Sequence, residues 1–281
     1  MSPFVLIAPQ GMLGTAFDRA LRYNALPYTG LGPEQLDLTK PETIAASIHP
    51  GVRYVINCAA WTDVDGAETK EAEATAVNAI GVRALADRCE RVGATLITYS
   101  TDYVFDGRAA APYAIDHQRT PVNAYGRSKA KGEELLEASG ANWLNIRTSW
   151  LYAPWGKNFV LTMKSLLASK PSLKVVNDQR GRPTSAEHLA DATLRLIDAG
   201  AERGHWHVTD GGECTWFEFA TEIGRVAGLP ARVEPCTSDE FPRPAKRPAY
   251  SVLDIAKTEA LVGPMPGWRD NLVSVLRANR P

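Results

Sequence analysis

The stretch Phe4-Val5-Leu6-Ile7-Ala8-Pro9-Gln10-Gly11-Met12-Leu13-Gly14 decides how the rest of the chain is read. Its first residues form an unbroken, largely branched apolar run, the mark of a strand covered on both faces. Pro9 stops that run, and from Met12 onward the apolar spacing is helical. Glycines three apart at such a corner let the backbone turn tightly and leave the first N–H groups of a helix open to a pyrophosphate. The strict dinucleotide fingerprint is not met, because Ala8 stands where a glycine usually opens the turn. A plain strand-turn-helix corner looks the same, so this stretch alone leaves cofactor binding and simple architecture both open.

Outward from it the same rhythm repeats. Strand patterns at 4–8, 27–30, 54–57, 95–100 and 143–148 alternate with helical patterns opening near Met12, Pro41, Glu71 and Ala124, of which 71–92 reads as one long helix. Alternation of this kind predicts βαβ units and an α/β fold, a Rossmann-like doubly wound parallel sheet with helices on both faces. Beyond Tyr152 the pattern loosens into helices at 158–167, 186–199 and 216–227 and strands at 173–176 and 205–208. Prolines then crowd the last fifty residues, which reads as loop with short helices. The expected organisation is a dinucleotide-binding domain over 1–152 and, over 153–281, a smaller substrate-binding lobe that returns segments to the first and closes a cleft at the carboxyl ends of the strands.

Composition narrows the function classes. At 281 residues with 44% hydrophobic and 22% charged, the chain can bury a full core. Lys+Arg of 31 against Asp+Glu of 32 leave a formal net charge of -1, so no global field exists to hold nucleic acid or an anionic membrane. An anionic ligand must therefore be held locally. Cys58, Cys89, Cys214 and Cys236 lack zinc-ligand spacing and read as buried thiols. The N-terminal apolar run is too short for a signal peptide and has no basic stretch before it, and nothing approaches a membrane span. The expected compartment is the cytoplasm.

Further segments bear on a dinucleotide. Asn57-Cys58-Ala59-Ala60 ends the third strand with small side chains that leave room for a cofactor to cross, or that simply pack tightly. Asp37 is placed to accept from an adenine amino group, although with Thr39 and Pro41 behind it it equally reads as the start of a helix. No acid follows the second strand around Gly30-Leu31-Gly32 to hold a ribose hydroxyl, so NADH and NADPH are not distinguished.

Tyr125 and Lys129 lie four apart, which on a helix puts them on one face. The spacing is common by chance and gains meaning from the strand 95–100, which ends at Thr101-Asp102 and points hydroxyls at the same cleft. Hydride addition to a ketone makes an alkoxide that must be protonated, and a phenol of pKa ~10 is poorly matched to neutral pH. An ammonium about 4 Å away contributes ~4 kcal/mol at an effective dielectric of ~20. At ~1.4 kcal/mol per unit, this brings the phenol near neutrality. Thr101 polarises the carbonyl in this scheme. The alternative is a core tyrosine and a solvated lysine.

Six segments, in order along the chain, resemble the extended short-chain dehydrogenase/reductases, and within them the dTDP-4-dehydrorhamnose reductases: 11–14, 57–65, 100–107, 121–129, 147–152 and 177–184. The resemblance implies NADPH- or NADH-dependent reduction of the 4-keto group of dTDP-4-dehydro-L-rhamnose to dTDP-L-rhamnose, with a dTDP-sugar as the small-molecule partner. It implies a proton donor at Tyr125, an activating Lys129 and a polarising Thr101. Gly11, Met12, Leu13, Gly14, Asp37, Leu38, Ala59, Ala60 and Trp61, with Tyr125 and Lys129, are implied around the dinucleotide. Val64, Thr101, Asp102, Tyr103 and Trp150 are implied in the sugar pocket, with Arg247 the first candidate among Arg243, Lys246 and Arg247 for the diphosphate. Asn78 matches a helix asparagine that supports the site in relatives, the alternative being an exposed helix residue. Some members of the family pair through magnesium, which makes a homodimer the one protein partner implied. Glu187 matches one ligand position, but Arg277-Ala278-Asn279-Arg280-Pro281 carries no acid, and no metal is predicted. His205, His207 and Trp216 read as structural. The alternatives are a reductase of another dTDP-4-keto-6-deoxyhexose and a non-catalytic dinucleotide-binding regulatory subunit.

Overall fold

The computed structural model describes residues 2–278; Met1 and residues 279–281 of the C-terminal tail lie outside the described residues. Its first half lays down β1 (Phe4–Ile7), α1 (Met12–Tyr23), β2 (Tyr28–Leu31), α2 (Pro41–Ser47), β3 (Tyr54–Asn57), α3 (Glu71–Thr75), α4 (Val82–Val92), β4 (Thr95–Thr101), α5 (Ala124–Glu137) and β5 (Asn142–Thr148). The second half adds β6 (Leu151–Tyr152), α6 (Phe159–Ser169), β7 (Ser172–Val176), β8 (Arg180–Gly181), β9 (Thr184–Ser185), α7 (Ala186–Asp198), β10 (Gly204–His207), β11 (Cys214–Thr215), α8 (Trp216–Ala227), β12 (Arg232–Cys236), α9 (Ala256–Val262) and α10 (Trp268–Ala278).

Six strands form one parallel sheet in the order β10-β5-β4-β3-β1-β2. The doubly wound α/β reading is therefore correct. The period of two explains its layers. Phe4 and Leu6 point into a core with Phe17, Leu21 and Leu189, whereas Val5 and Ile7 point into a second core with Ile44, Leu85 and Leu96. Helices thus cover both faces, as the continuous apolar strands require. β10 and α7 come from the second half of the chain yet extend this sheet and its first core. The remaining lobe has its own core of Tyr152, Val160, Phe219, Trp268 and Leu272.

Two local departures from the sequence pattern matter. The run read as one helix over 71–92 is broken by a π-helical segment, Ala76–Gly81, between α3 and α4. Helical periodicity does not reveal it, because one inserted residue leaves the propensities unchanged. The last fifty residues contain α9 and α10 as expected, but also β12, which accommodates Pro235 beside β7.

At the β1 corner, Ala8 adopts φ 58°, the left-handed region that a side chain disfavours. The departure from the glycine pattern is thus carried as backbone strain. The corner is pinned by Ala8 N donating to Leu31 O at 2.9 Å and Gly11 N to Ala8 O at 3.1 Å. Gly14 is obligatory there, since a Cβ on it would lie 2.0 Å from Ala8 O. Ala8→Gly should raise stability by about 1 kcal/mol, because glycine adopts this conformation without steric cost. Urea unfolding checks it, and a lowered midpoint would show that the alanine methyl contributes more by packing than its conformation costs.

Candidate functional site

The β2–β1–β3 end of the sheet opens into a cavity of about 310 Å³, lined by Ala8, Gln10, Gly32, Asp37, Leu38, Ala59 and Ala60 among others. It lies outside the carboxyl ends of strands that run to opposite sides of β1, the place where open α/β sheets bind ligands. α1 begins at Gly11, which offers no side-chain cap, so its first N–H groups face this region unpaired by a side chain. The small residues and the close glycine turn fit a dinucleotide.

The predicted cofactor residues divide on inspection. Asp37, Leu38, Ala59 and Ala60 line the cavity, whereas Gly11 and Gly14 pack against the backbone of its wall residue Ala8. Leu13 is buried in the first core, and Met12 is tied through its carbonyl to Trp155 Nε1 at 3.0 Å, linking the turn to the second lobe. Asp37 accepts from Thr39 N at 2.9 Å and Thr39 Oγ1 at 2.7 Å, with Lys40 3.3 Å away, so it caps its own turn as well as bordering the cavity. These bonds hold its carboxyl below the ordinary range. Asn57 is fully engaged, donating to Thr98 Oγ1 at 3.4 Å and accepting from Ala59 N at 3.1 Å.

The second centre is built by α5. Asn123 caps it, accepting from Gly126 N at 2.8 Å and donating to Lys246 O at 2.8 Å. Gly126 and Gly132 let it approach closely: added Cβ atoms would lie 2.2 Å from Tyr103 O and 2.2 Å from Asn78 O respectively. Asn78, in the π segment, is buried rather than exposed. It donates to Ser128 Oγ at 2.9 Å and Trp61 O at 3.0 Å and accepts from Trp61 N at 2.9 Å. Trp61 in turn packs with Tyr125 and Ala124. A residue expected to touch the dinucleotide is thereby coupled to α5.

On that helix Tyr125 meets the end of β4. Its phenol comes near the Thr101 hydroxyl, and its ring meets Tyr103 edge-on with centroids 6.0 Å apart. Thr101 Oγ1 donates to Asp102 Oδ1 at 2.9 Å and accepts from Tyr103 N at 3.2 Å. Lys129, 7% exposed, donates to Tyr99 O at 3.0 Å. Thr101, Asp102, Tyr103 and Tyr125 therefore converge as the sequence predicts.

The expected acidification of Tyr125 by Lys129 is not found. Although the phenol keeps part of its surface open at the crevice, burial pushes its pKa above the ordinary 10, and the nearby Asp102 charge pushes the same way. The Thr101 hydroxyl, acting as a donor toward the phenol oxygen, opposes both only in part. Lys129 is committed to the Tyr99 carbonyl, and burial lowers its own pKa to about 8. Burial likewise raises Asp102 to about 6 and pushes Tyr103 up. The simple Coulomb argument fails here because desolvation penalises every charged form, the cation included.

Around this centre, Trp150 takes φ 47° and stacks on Trp216 with centroids 3.5 Å apart, while Gly181 leaves room for its indole. Trp216 is thus a structural partner of a predicted pocket residue, a link no sequence spacing indicates. Val64 is half-buried in the loop that carries Asp65. Arg247 donates through Nη2 to Asp65 Oδ1 at 2.9 Å and lies 5.9 Å over the Tyr103 ring, leaving Nη1 buried without a partner. Neither Asp65 nor Ser251, which faces Asp102, carries a periodic signal that could have singled it out. His205 and His207 join a buried network with Glu133, Glu137 and Arg147. Glu187 pairs with Arg19 at 3.2 Å. The four cysteines are free, and burial raises their thiols. No helix among the described residues is long and apolar enough to cross a membrane.

The fold defines a Rossmann-type α/β protein with a cavity at the carboxyl ends of β1, β2 and β3 and a Thr/Tyr/Lys cluster where α5 meets β4. The chain belongs to the RmlD substrate binding domain family, whose model matches residues 4–280. It is 40% identical to the dTDP-4-dehydrorhamnose reductase of Streptomyces griseus, over 100% of this chain and 98% of that one. It is also 40% identical to a probable dTDP-4,6-dihydroxy-2-methyloxan-3-one 4-ketoreductase of Streptomyces antibioticus, over 96% of this chain and 92% of the relative. A dTDP-4-dehydrorhamnose reductase of Bacillus anthracis, solved in complex with NADP, superposes with a TM-score of 0.93 at 33% identity, covering 100% of both chains.

The lowered pKa of Lys129 has a consequence for stability. Between about 8 and the ordinary 10.5, the unfolded chain holds this proton and the folded one does not. More protons bound in the unfolded state means stability rises with pH through that window. Lys129→Met should abolish that rise, so wild type gains on the variant between about pH 8 and about pH 10 in denaturant titrations. A pH-independent difference would mean the ammonium is solvated.

Proposed function

We propose that this chain reduces the 4-keto group of dTDP-4-dehydro-L-rhamnose to give dTDP-L-rhamnose, using NADPH or NADH. The observation that carries the reading is the convergence of Tyr125, Thr101 and Asp102 at the end of β4, one helical turn from buried Lys129. Support comes from full-length relatives named for this reaction and from the NADP complex of the Bacillus anthracis neighbour.

The reduced nicotinamide, when bound, supplies the hydride. Gly11, Met12, Leu13, Gly14, Asp37, Leu38, Ala59, Ala60 and Trp61 form its cradle in this reading, the first four through the turn and its backbone. Tyr125 delivers its proton to the sugar O4 as negative charge develops there. A phenol with a raised pKa suits this direction, because it is fully protonated at neutral pH and an alkoxide is the stronger base. Thr101 hydrogen-bonds the same oxygen, and Lys129 holds positive charge below the site. Val64, Asp102, Tyr103 and Trp150 shape the sugar pocket, and the unpartnered Nη1 of Arg247 is the donor left for the diphosphate. The reading places this chemistry in the cytoplasm.

A second reading, reduction of another dTDP-4-keto-6-deoxyhexose, is favoured by the equally similar Streptomyces antibioticus relative. The two share every catalytic group and differ in the configuration of the product at C4. A regulatory subunit would have no use for a phenol poised in a crevice. Tyr125→Phe should keep cofactor binding, read by nucleotide fluorescence, and lose about 10²- to 10⁴-fold in kcat, read by loss of NADPH absorbance. Undiminished turnover would remove Tyr125 from the chemistry.

A further inference from the structure

Counting hydrogens at Thr101 exposes a conflict. A threonine hydroxyl has one hydrogen and two acceptor positions. Its oxygen accepts from Tyr103 N at 3.2 Å, and its hydrogen is directed to Asp102 Oδ1 at 2.9 Å. An ionised Asp102 accepts only, so with it the Thr101 hydrogen is spent on the carboxylate. The hydrogen that Thr101 would offer the substrate oxygen then points elsewhere.

We infer that Asp102 is a positioning residue that acts as the neutral acid: its proton occupies the second lone pair of Thr101, turning the Thr101 hydrogen toward the ketone oxygen that Tyr125 also addresses. This rests on the reading that Thr101 and Tyr125 address that ketone. The count then closes, with Thr101 accepting from Tyr103 N and Asp102 and donating to substrate, and Tyr125 donating to substrate alone. No atom leaves Asp102 in the cycle; its proton is shared with Thr101 and stays.

The surroundings agree. Asp102 is 2% exposed, and its Oδ2 is buried without a partner, an arrangement costly for a charged oxygen and mild for a neutral acid. The groups facing it are Thr101 from β4, Ser251 from the loop before α9, Tyr103 from its own turn and Tyr125 from α5. None of these is a cation. Arg247, the nearest base named around Tyr103, is held by Asp65. The alkoxide formed by hydride addition would also repel a carboxylate this close. Burial raises the carboxyl to about 6, and a diphosphate entering the pocket adds negative charge that raises it further.

The test is the pH dependence of single-turnover hydride transfer to a dTDP-4-keto-6-deoxyhexose from NADPH, for wild type and Asp102→Asn. Wild type should slow as pH rises through the titration of Asp102. The asparagine amide donates to Thr101 at every pH, so Asp102→Asn should run flat over the same range and exceed wild type by about tenfold at the alkaline end. Superimposable profiles, or a raised KM with the wild-type kcat profile intact, would reduce Asp102 to a sugar contact and overturn the inference. Should Asp102→Asn fail to bind NADPH, the wild-type profile decides alone, since a rate that rises with pH through this window contradicts the neutral acid. Absence of hydride transfer in wild type at every pH rejects the underlying reading instead.

Discussion

Close docking of α5 against the end of β4 is the constraint from which the rest of the site follows. Glycines at 126 and 132 bring the helix backbone against Tyr103 O and Asn78 O, where a side chain would collide. Asn123 fixes where the helix starts, and the buried pair Glu133–Arg147, with contacts of 2.9 and 2.7 Å, fixes its far side to β5. Removing one member of such a pair leaves an uncompensated buried charge and costs about 3–5 kcal/mol. The helix is therefore held rigidly enough to carry Lys129 into the interior and to set Tyr125 on Thr101.

Docking this tight excludes water, and exclusion of water sets the ionisation of every group in the crevice. Tyr125 and Tyr103 are pushed up, Asp102 rises to about 6 and Lys129 falls to about 8. Each shift favours the neutral form. Glu133 is the exception, kept ionised because Arg147 more than offsets its burial. Charge is thus kept where it is paired and anchors the helix, and disfavoured among the groups gathered at the end of β4. Neutral donors suit a reduction, in which negative charge appears on the substrate oxygen and must be met by hydrogens.

Much of this was legible in the sequence. Residues that act through their own backbone pattern were found: the strands, the β1 corner and the Tyr125/Lys129 face all follow from local periodicity and spacing. What escaped depends on contacts between distant segments. The π segment that turns Asn78 inward is set by packing on Gly132 and Leu38, and the Trp150–Trp216 stack joins residues 66 positions apart. Arg247 is legible as a cation but not as the partner of Asp65. The acidified phenol failed for a related reason, since spacing places a cation on the same helix face but says nothing of the solvent it loses or of the Tyr99 carbonyl that claims it.

The central claim, that desolvation rather than a neighbouring cation governs the Tyr125 phenol, is open to one direct measurement. Tyrosinate absorbance of the cofactor-free protein can be followed against pH in wild type and Tyr125→Phe, and their difference isolates Tyr125. The account predicts no step in that difference until pH exceeds the ordinary tyrosine value of 10. A step near neutrality would show that Lys129 acidifies the phenol after all.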